Sequence, residues 1–441
     1  MARPPVRISA HAHTRTIALV TTAIAAAVLL TGCSSSTGSR VPAPSGEKIS
    51  LTIGTFGTFG YKEAGLFDEY MRLHPEITIE EHSTTQEPDY WKALEARLSD
   101  GGLYDVQALE VGRISLATSH EHSGAFEDLS QAPGVKQRDH LPWKWDQATT
   151  AGGRTIGLGT DVGPMAVCYR QDLFKAAGLP SDPDAVAELW RGDWAKFVEV
   201  GKTYQSEAPK GTYFMDTAAG LYNAVVSSSP QQYYANGTLV YGESPSVKKG
   251  WDLAVRAIRA GTSQGLKEFD PPWQKAFSRG TFATTICPSW QQSNIEKFSG
   301  AANTGKWNIA QPPAAGNWGG SFLTVPSSGK HVEQAKELVA WLTSPEQQAK
   351  VFQKVGNFPA NRAAYSLPGV VAYSNPYIGP EARTGMIFAM AAVAIQPAEI
   401  GPRAGELNDT IGDGILLMER DGKAPAEAWK TTVRRIDGST Q

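Results

Sequence analysis

Cysteine is scarce, three in 441 residues, and no two of them form a CxxC pair. That excludes a disulfide-knotted miniature scaffold, a zinc ribbon and a thioredoxin-type redox pair. Charge of one sign is lacking as well: 41 Lys and Arg stand against 44 Asp and Glu, a formal net charge of −3. With no basic run, a nucleic-acid binder held by phosphate contacts is excluded. Only Ile17 to Leu30 approaches the bilayer in character, and its fourteen residues fall short of the roughly 20 needed to span it. A multi-span membrane protein is therefore excluded. GxSxG and HExxH are also missing, which removes the common signatures of serine hydrolases and zinc proteases. What is present is aromatic: 9% of the chain, with twelve Trp, too much for a disordered polypeptide. The length suggests two or three domains.

The first 32 residues read as a signal peptide. Arg3, Arg7 and Arg15 precede the apolar run, no acid occurs, and small residues close it. The ending Leu30-Thr31-Gly32-Cys33 resembles the bacterial lipobox. That resemblance implies cleavage before Cys33 and lipid on its sulfur, anchoring the protein to the outer face of the cell membrane. Acyl chains contribute about 0.8 kcal/mol per buried CH₂, enough to hold it there without a spanning helix. Residues 33–46, rich in Ser, Pro and Gly, then form a flexible tether. Cys168 and Cys287 remain, either as two buried thiols or as one disulfide. The even count, export and strand-like flanks favour a bridge between neighbouring strands.

From Ile49 the chain alternates apolar and polar residues up to Gly54, which predicts a strand. A glycine-spaced loop follows, presenting Phe56, Thr58 and Phe59. Leu66, Phe67, Tyr70 and Met71 predict a helix, Ile77–Ile79 a strand, Tyr90–Leu98 a helix and Asp105–Val111 a strand. Such alternation predicts a parallel α/β sheet. The pattern restarts after a glycine-rich crossing near 157–163. Met165–Tyr169 and Thr281–Cys287 read as strands, and Trp194–Tyr204 and Val247–Ala260 as helices. Asp172 is placed as cap of a short helix, and Ser344-Pro345-Glu346-Gln347 as a capping box. Leu407, Ile411, Ile415 and Met418 predict a late helix, weakened by Gly412 and Gly414. Further crossings fall at 316–320 and in the Pro/Gly-rich stretch 356–380. The chain thus passes repeatedly between two α/β units, and a cleft at the strand C-termini is where a ligand is expected.

Several segments together resemble one family. They are GTFGTFGYKEAGLFDEY (54–70), DVQALEVGRI (105–114), IGLGTDVGPMAVCYRQDLFKAAGLP (156–180), GTFATTICPSW (280–290), GNWGGSFLTVP (316–326) and LTSPEQQAKVFQKVGNFPANRAAY (342–365). In this order they are similar to the extracellular solute-binding proteins (family 1) of carbohydrate ABC importers, the maltose-binding-protein-like group. Within it, they most resemble the cello-oligosaccharide-binding lipoproteins of actinobacteria. The resemblance implies a two-lobe, periplasmic-binding-protein-like α/β fold with its cleft at a multi-strand hinge. It also implies no catalysis, no cofactor, an oligosaccharide ligand and delivery, as a monomer, to membrane permease subunits. The lobes are expected at 47–160 with 321–368, and at 161–320 with 369–441. Most members lack the Cys168/Cys287 pair, so that feature marks a subgroup. The alternative is a surface-anchored carbohydrate-active enzyme such as a glycoside hydrolase, whose paired carboxylates leave no sequence motif.

A sugar site needs flat apolar faces for the C–H side of a pyranose and polar atoms for its hydroxyls. Phe56 and Phe59 either stack on a sugar or pin their loop to the core, and Thr58 between them is a hydroxyl partner. Glu110 at a strand end either accepts sugar hydroxyls or makes a surface pair. The resemblance places an acid, Asp161, against the sugar. Trp290 follows a strand, and Trp318 stands among Gly316, Gly319 and Gly320, where bare backbone permits close approach. If these two Trp flank the cleft from opposite sides of the hinge, closure changes their exposure. Tyr222 and Trp273 align with cleft-lining aromatics of the family; the bland reading is core packing. Gly300–Lys306 has P-loop spacing, but Trp307 replaces the Ser/Thr that would bind magnesium. Gly157-Leu-Gly159 lacks a third glycine, and His120-Glu121-His122 lacks a third placed ligand, so no metal site is expected.

Overall fold

The computed structural model describes residues 48–100, 102–379 and 382–438. The expected signal peptide, Cys33 and the whole of the expected tether lie outside the described residues. The strands are β1 (Ile49–Phe56), β2 (Ile77–Thr84), β3 (Val106–Glu110), β4 (Leu158–Gly159), β5 (Asp161–Val162), β6 (Met165–Arg170), β7 (Tyr213–Met215), β8 (Tyr234–Ala235), β9 (Thr238–Leu239), β10 (Phe282–Pro288), β11 (Trp307–Ala310), β12 (Ser321–Thr324) and β13 (Phe358–Pro359). Two sheets organise nine of them, β2-β1-β3-β12-β4 and β11-β6-β10-β7, and the other four form two-stranded ribbons, β13-β5 and β8-β9. Among the described residues no helix is long and apolar enough to cross a membrane.

The first sheet is buried on both faces. Leu51, Ile53, Val106 and Leu323 pack under Leu66–Leu73 and Val332–Leu342. Leu109 and Phe322 point the other way, onto Tyr90, Trp91 and Ile114. The second sheet behaves likewise: Met165, Val167 and Tyr169 face one core, Ala166 and Cys168 the other. Burial on both faces explains why its strands read as apolar runs rather than alternating ones.

The sheets are mixed, which corrects the expectation of parallel pairing. β1 pairs parallel with β2 and β3, but β12 runs antiparallel to β3. β6 likewise runs antiparallel to β10 and β11. The reason is the crossings. Strands that end at the cleft (β1, β3, β10, β11) point toward it; those that leave a crossing (β6, β12) point away, so sharing a sheet makes them antiparallel. The crossings hold one another: β13 pairs with β5, and Pro164 bridges Asn317.

Cys168 and Cys287 are bonded, with Cα atoms 5.4 Å apart. Cys168 lies opposite Thr285 and Cys287 opposite Ala166, so the cysteines are diagonal neighbours on one sheet face, within side-chain reach. Two expected caps are absent. Asp172 does not cap Gln171–Ala176 but receives the Arg170 guanidinium at 2.8 and 2.7 Å. Ser344 precedes Pro345–Val355 without capping it, its hydroxyl donating instead to the Trp341 carbonyl at 2.7 Å. The late helix is Ala404–Asp421, with Leu407, Ile411, Ile415 and Met418 buried as expected. Its Gly414 is a packing device rather than a weakness: a Cβ there would lie 2.0 Å from Thr432 Oγ1 on Pro425–Gly438.

Candidate functional site

The strand ends of both sheets border one cleft of about 1120 Å³. Nine of the eleven residues singled out for ligand contact line it: Phe56, Thr58, Phe59, Glu110, Asp161, Trp290, Trp318, Gly319 and Gly320. Each is delivered by a strand end or a crossing. Thr58 is exposed, Phe56 half-buried and Phe59 only 8% exposed. The two rings meet edge to face at 5.2 Å, so Phe59 pins the loop while Phe56 offers a face.

Glu110 ends β3 and serves as N-cap of Val111–Ala117, its carboxylate accepting the Gly112 N–H. Burial pushes its carboxyl up to about 7, with Glu87 adding to the push; the Gly112 N–H, Lys144 and Arg113 oppose it. Asp161 Oδ1 accepts from Thr160 Oγ1 at 2.7 Å and from Ser321 N at 3.0 Å. One oxygen therefore ties two crossings together. Gly320 has φ +98°, and a Cβ there would meet the Asp161 carbonyl at 2.6 Å, so a side chain is excluded on both counts.

Trp290 and Trp318 form one aromatic corner. Trp290 Nε1 donates to the Trp318 carbonyl at 3.0 Å, and the rings stand at 85° with centroids 5.8 Å apart. This corrects the idea that they face each other across the hinge: the crossing at 316–320 brings Trp318 back beside the end of β10. Tyr222 and Trp273 do not reach the cleft. Tyr222 is fully buried with its hydroxyl donating to that of Tyr233, which lines the cleft instead. Trp273 is also fully buried; its Nε1 donates to Asp216 Oδ2 at 2.8 Å and its ring packs edge-on against Phe277. Both sit on the core side of their helices.

Sequence reasoning missed several lining residues. Trp143 and Gln147, four apart on the helix Pro142–Gln147, face the cleft, as does Asn223 on Ala218–Ser227. Trp143 Nε1, Gln147 Oε1 and Asn223 Nδ2 are buried without a hydrogen-bond partner among the described residues. Such atoms are costly to leave unpaired, and a ligand hydroxyl would satisfy them. The i, i+4 spacing of Trp143 and Gln147 was the available signal. Phe269 lines the cleft 53% exposed, 6.1 Å from the Trp290 ring and at φ +69°. For a bulky residue that backbone is an outlier, and sequence carries no sign of it.

Lys306 Nζ donates to Asn303 Oδ1 at 3.2 Å across a 3₁₀ turn rather than facing a phosphate cradle. Gly157-Leu-Gly159 runs into β4. Among the described residues no group of three His, Cys, Asp or Glu could hold a metal.

Residues 65–376 match the family model of the bacterial extracellular solute-binding proteins. The chain is 22% identical over 270 residues to the arabinooligosaccharide-binding protein of Bacillus subtilis, covering 58% of this chain and 60% of that one. It is also 22% identical to the maltooligosaccharide ABC transporter solute-binding lipoprotein of Streptococcus pneumoniae, over 80% and 82% of the two. A solved family 1 extracellular solute-binding protein is 37% identical, covers 89% of this chain and 100% of its own, and superposes with a TM-score of 0.80. The chain belongs to the bacterial extracellular solute-binding proteins, a family that binds its ligand rather than converting it.

Proposed function

We propose that this protein captures a neutral oligosaccharide in the cleft and delivers it to the permease of an ABC importer. The observation that carries the reading is the cleft's mixed wall. Aromatic faces at Phe56, Trp290 and Trp318 stand beside hydrogen-bonding atoms at Trp143, Gln147 and Asn223 that have no partner among the described residues. Asp161 presents acceptor oxygens, and Glu110 does so above its midpoint near pH 7, so the pair suits hydroxyl donors and disfavours uronates and sugar phosphates. A cleft of about 1120 Å³ exceeds the usual range of small-ligand pockets and accommodates several sugar rings. The two curated relatives described above bind oligosaccharides by name.

Cello-oligosaccharide is the first sugar to test, on the strength of the sequence resemblance. The test is calorimetric titration with gluco-, xylo-, manno- and malto-oligosaccharides. Saturable heat from one linkage class is the expected result; none from any neutral oligosaccharide removes the reading. The lobes in this proposal are 47–160 with 321–368 and 161–320 with 369–441, supported by the strands each sheet draws on. The protein acts as a monomer, held by lipid on Cys33. Cys33→Ala should release it from membranes, and retention of that variant in high salt would refute the anchor.

A further inference from the structure

Beneath the cleft floor lies a lysine that the site as described does not use. Lys144 belongs to the same short helix as Trp143 and Gln147, but its side chain turns inward and is 1% exposed. Its ammonium has no hydrogen-bond partner among the described residues and stands 3.7 Å from the centroid of the Phe322 ring. A buried ammonium is costly unless its surroundings compensate, so its presence calls for a role. Two bare backbones make room for it. A Cβ on Gly159 would lie 3.0 Å from Lys144 Cγ, and one on Gly320 would lie 3.1 Å from Nζ.

Gly320 is where the two cleft carboxylates converge. Its carbonyl accepts the N–H of Val111, the residue after Glu110, at 3.0 Å. The next residue, Ser321, pairs with Glu110 across β12 and β3 and gives its N–H to Asp161 Oδ1 at 3.0 Å. The backbone that covers the ammonium is thus tied to the Glu110 strand through Val111 and to the Asp161 carboxylate through Ser321.

We propose that Lys144 is a positioning residue of the ligand site: from beneath Gly320 its ammonium holds Glu110 as a charged acceptor for ligand hydroxyls. This deepens the oligosaccharide reading and rests on it. Burial pulls the Lys144 ammonium down to about 8, against the opposing pull of Asp161 and Glu110. The other charges facing Glu110 are Glu87, which disfavours its ionisation, and Arg113, which favours it; Tyr61 faces Asp161. Lys144 and Glu110 are therefore charged together around neutral pH. Within that range the ammonium matters most; above it Lys144 is neutral and its removal changes little.

The test uses Lys144→Met, which keeps the bulk and removes the charge, with Lys144→Arg as the charge-retaining control. Glu110 ionisation is followed by carboxyl-carbon NMR in the ligand-free protein, with Glu110→Gln assigning the signal. Cellotetraose and maltotetraose are titrated in parallel from pH 5 to 9. In Lys144→Met the Glu110 midpoint should rise by about one pH unit. Affinity near pH 7 should fall about five-fold, the difference between a charge-assisted and a neutral hydrogen bond, and should converge with wild type by pH 9. An unmoved Glu110 midpoint overturns the proposal whether or not Lys144→Arg folds. So does an affinity loss equal at every pH, which would mark a packing role. If wild type binds neither sugar, the ligand reading is at fault, and the NMR midpoint still decides the role of Lys144.

Discussion

Trp290 and Trp318 share one hydrogen bond, but replacing them should not have equal effects. Trp318 contributes its backbone carbonyl, which survives Trp318→Ala, whereas Trp290→Ala removes the donor. Each variant loses an aromatic platform, worth roughly 1–3 kcal/mol by analogy with base–aromatic stacking. Affinity should therefore weaken about 5- to 150-fold in both, with the larger loss of unfolding midpoint in Trp290→Ala. Trp273→Phe is the contrasting case. It strips a donor from buried Asp216 and should cost about 1–3 kcal/mol of stability while leaving the affinity of the folded fraction unchanged. Calorimetry and thermal melts on the three variants check this; an affinity loss in Trp273→Phe would return that ring to the site. The difference between these tryptophans was only partly legible in the sequence. Trp318 among glycines and Glu110 at a strand end announce themselves, because bare backbone and strand termini mark clefts. Trp273 and Tyr222 sit on helices, where identity alone does not say which face meets the core.

At the scale of elements, the strands near 49–54, 77–79, 105–111, 165–169 and 281–287 and the helices near 66–71, 90–98, 194–204 and 247–260 followed from periodicity, while the helices Pro142–Gln147 and Ala218–Ser227 and the strand directions did not. β6 and β12 leave crossings away from the cleft, and nothing local in an apolar run encodes that reversal. The caps misread at Asp172 and Ser344 show the same limit: a nearby guanidinium or carbonyl outcompetes the helix N–H groups. The disulfide is the element-level feature with the clearest energetic consequence. Its cysteines are 119 residues apart, and closing a loop of that length constrains the unfolded chain by about 2–4 kcal/mol. Cys168→Ala/Cys287→Ala should lower the unfolding midpoint without abolishing ligand binding, because both residues lie in the second sheet's core rather than the cleft. An unchanged midpoint, or two free thiols titrated in the denatured wild-type chain lacking its leader and Cys33, would contradict this.

For the whole molecule, buried acids set the pH dependence of stability. Burial pushes Glu110 and Glu419 up to about 7 and raises Asp216 and Glu268 as well. A carboxyl raised above its unfolded value stabilises the fold below that value, and the contribution is lost as pH rises through the folded one. His140, lowered to about 4 by burial, acts oppositely below its ordinary 6.5, but it is one group against four. Acids held low, such as Asp193 by the Ala195 N–H and Glu199 by Lys202, contribute stability that is lost only in more acidic solution. The unfolding midpoint should therefore be higher at pH 5 than at pH 7.5, and a midpoint rising over that interval would contradict the burial of these acids. The proposed function is capture of an oligosaccharide without conversion. It is tested most directly by equilibrium dialysis against the sugar that gives heat, followed by mass analysis of the ligand recovered after long incubation. One molecule should be bound per chain and recovered intact; shortened products or new reducing ends would mark the protein as an enzyme.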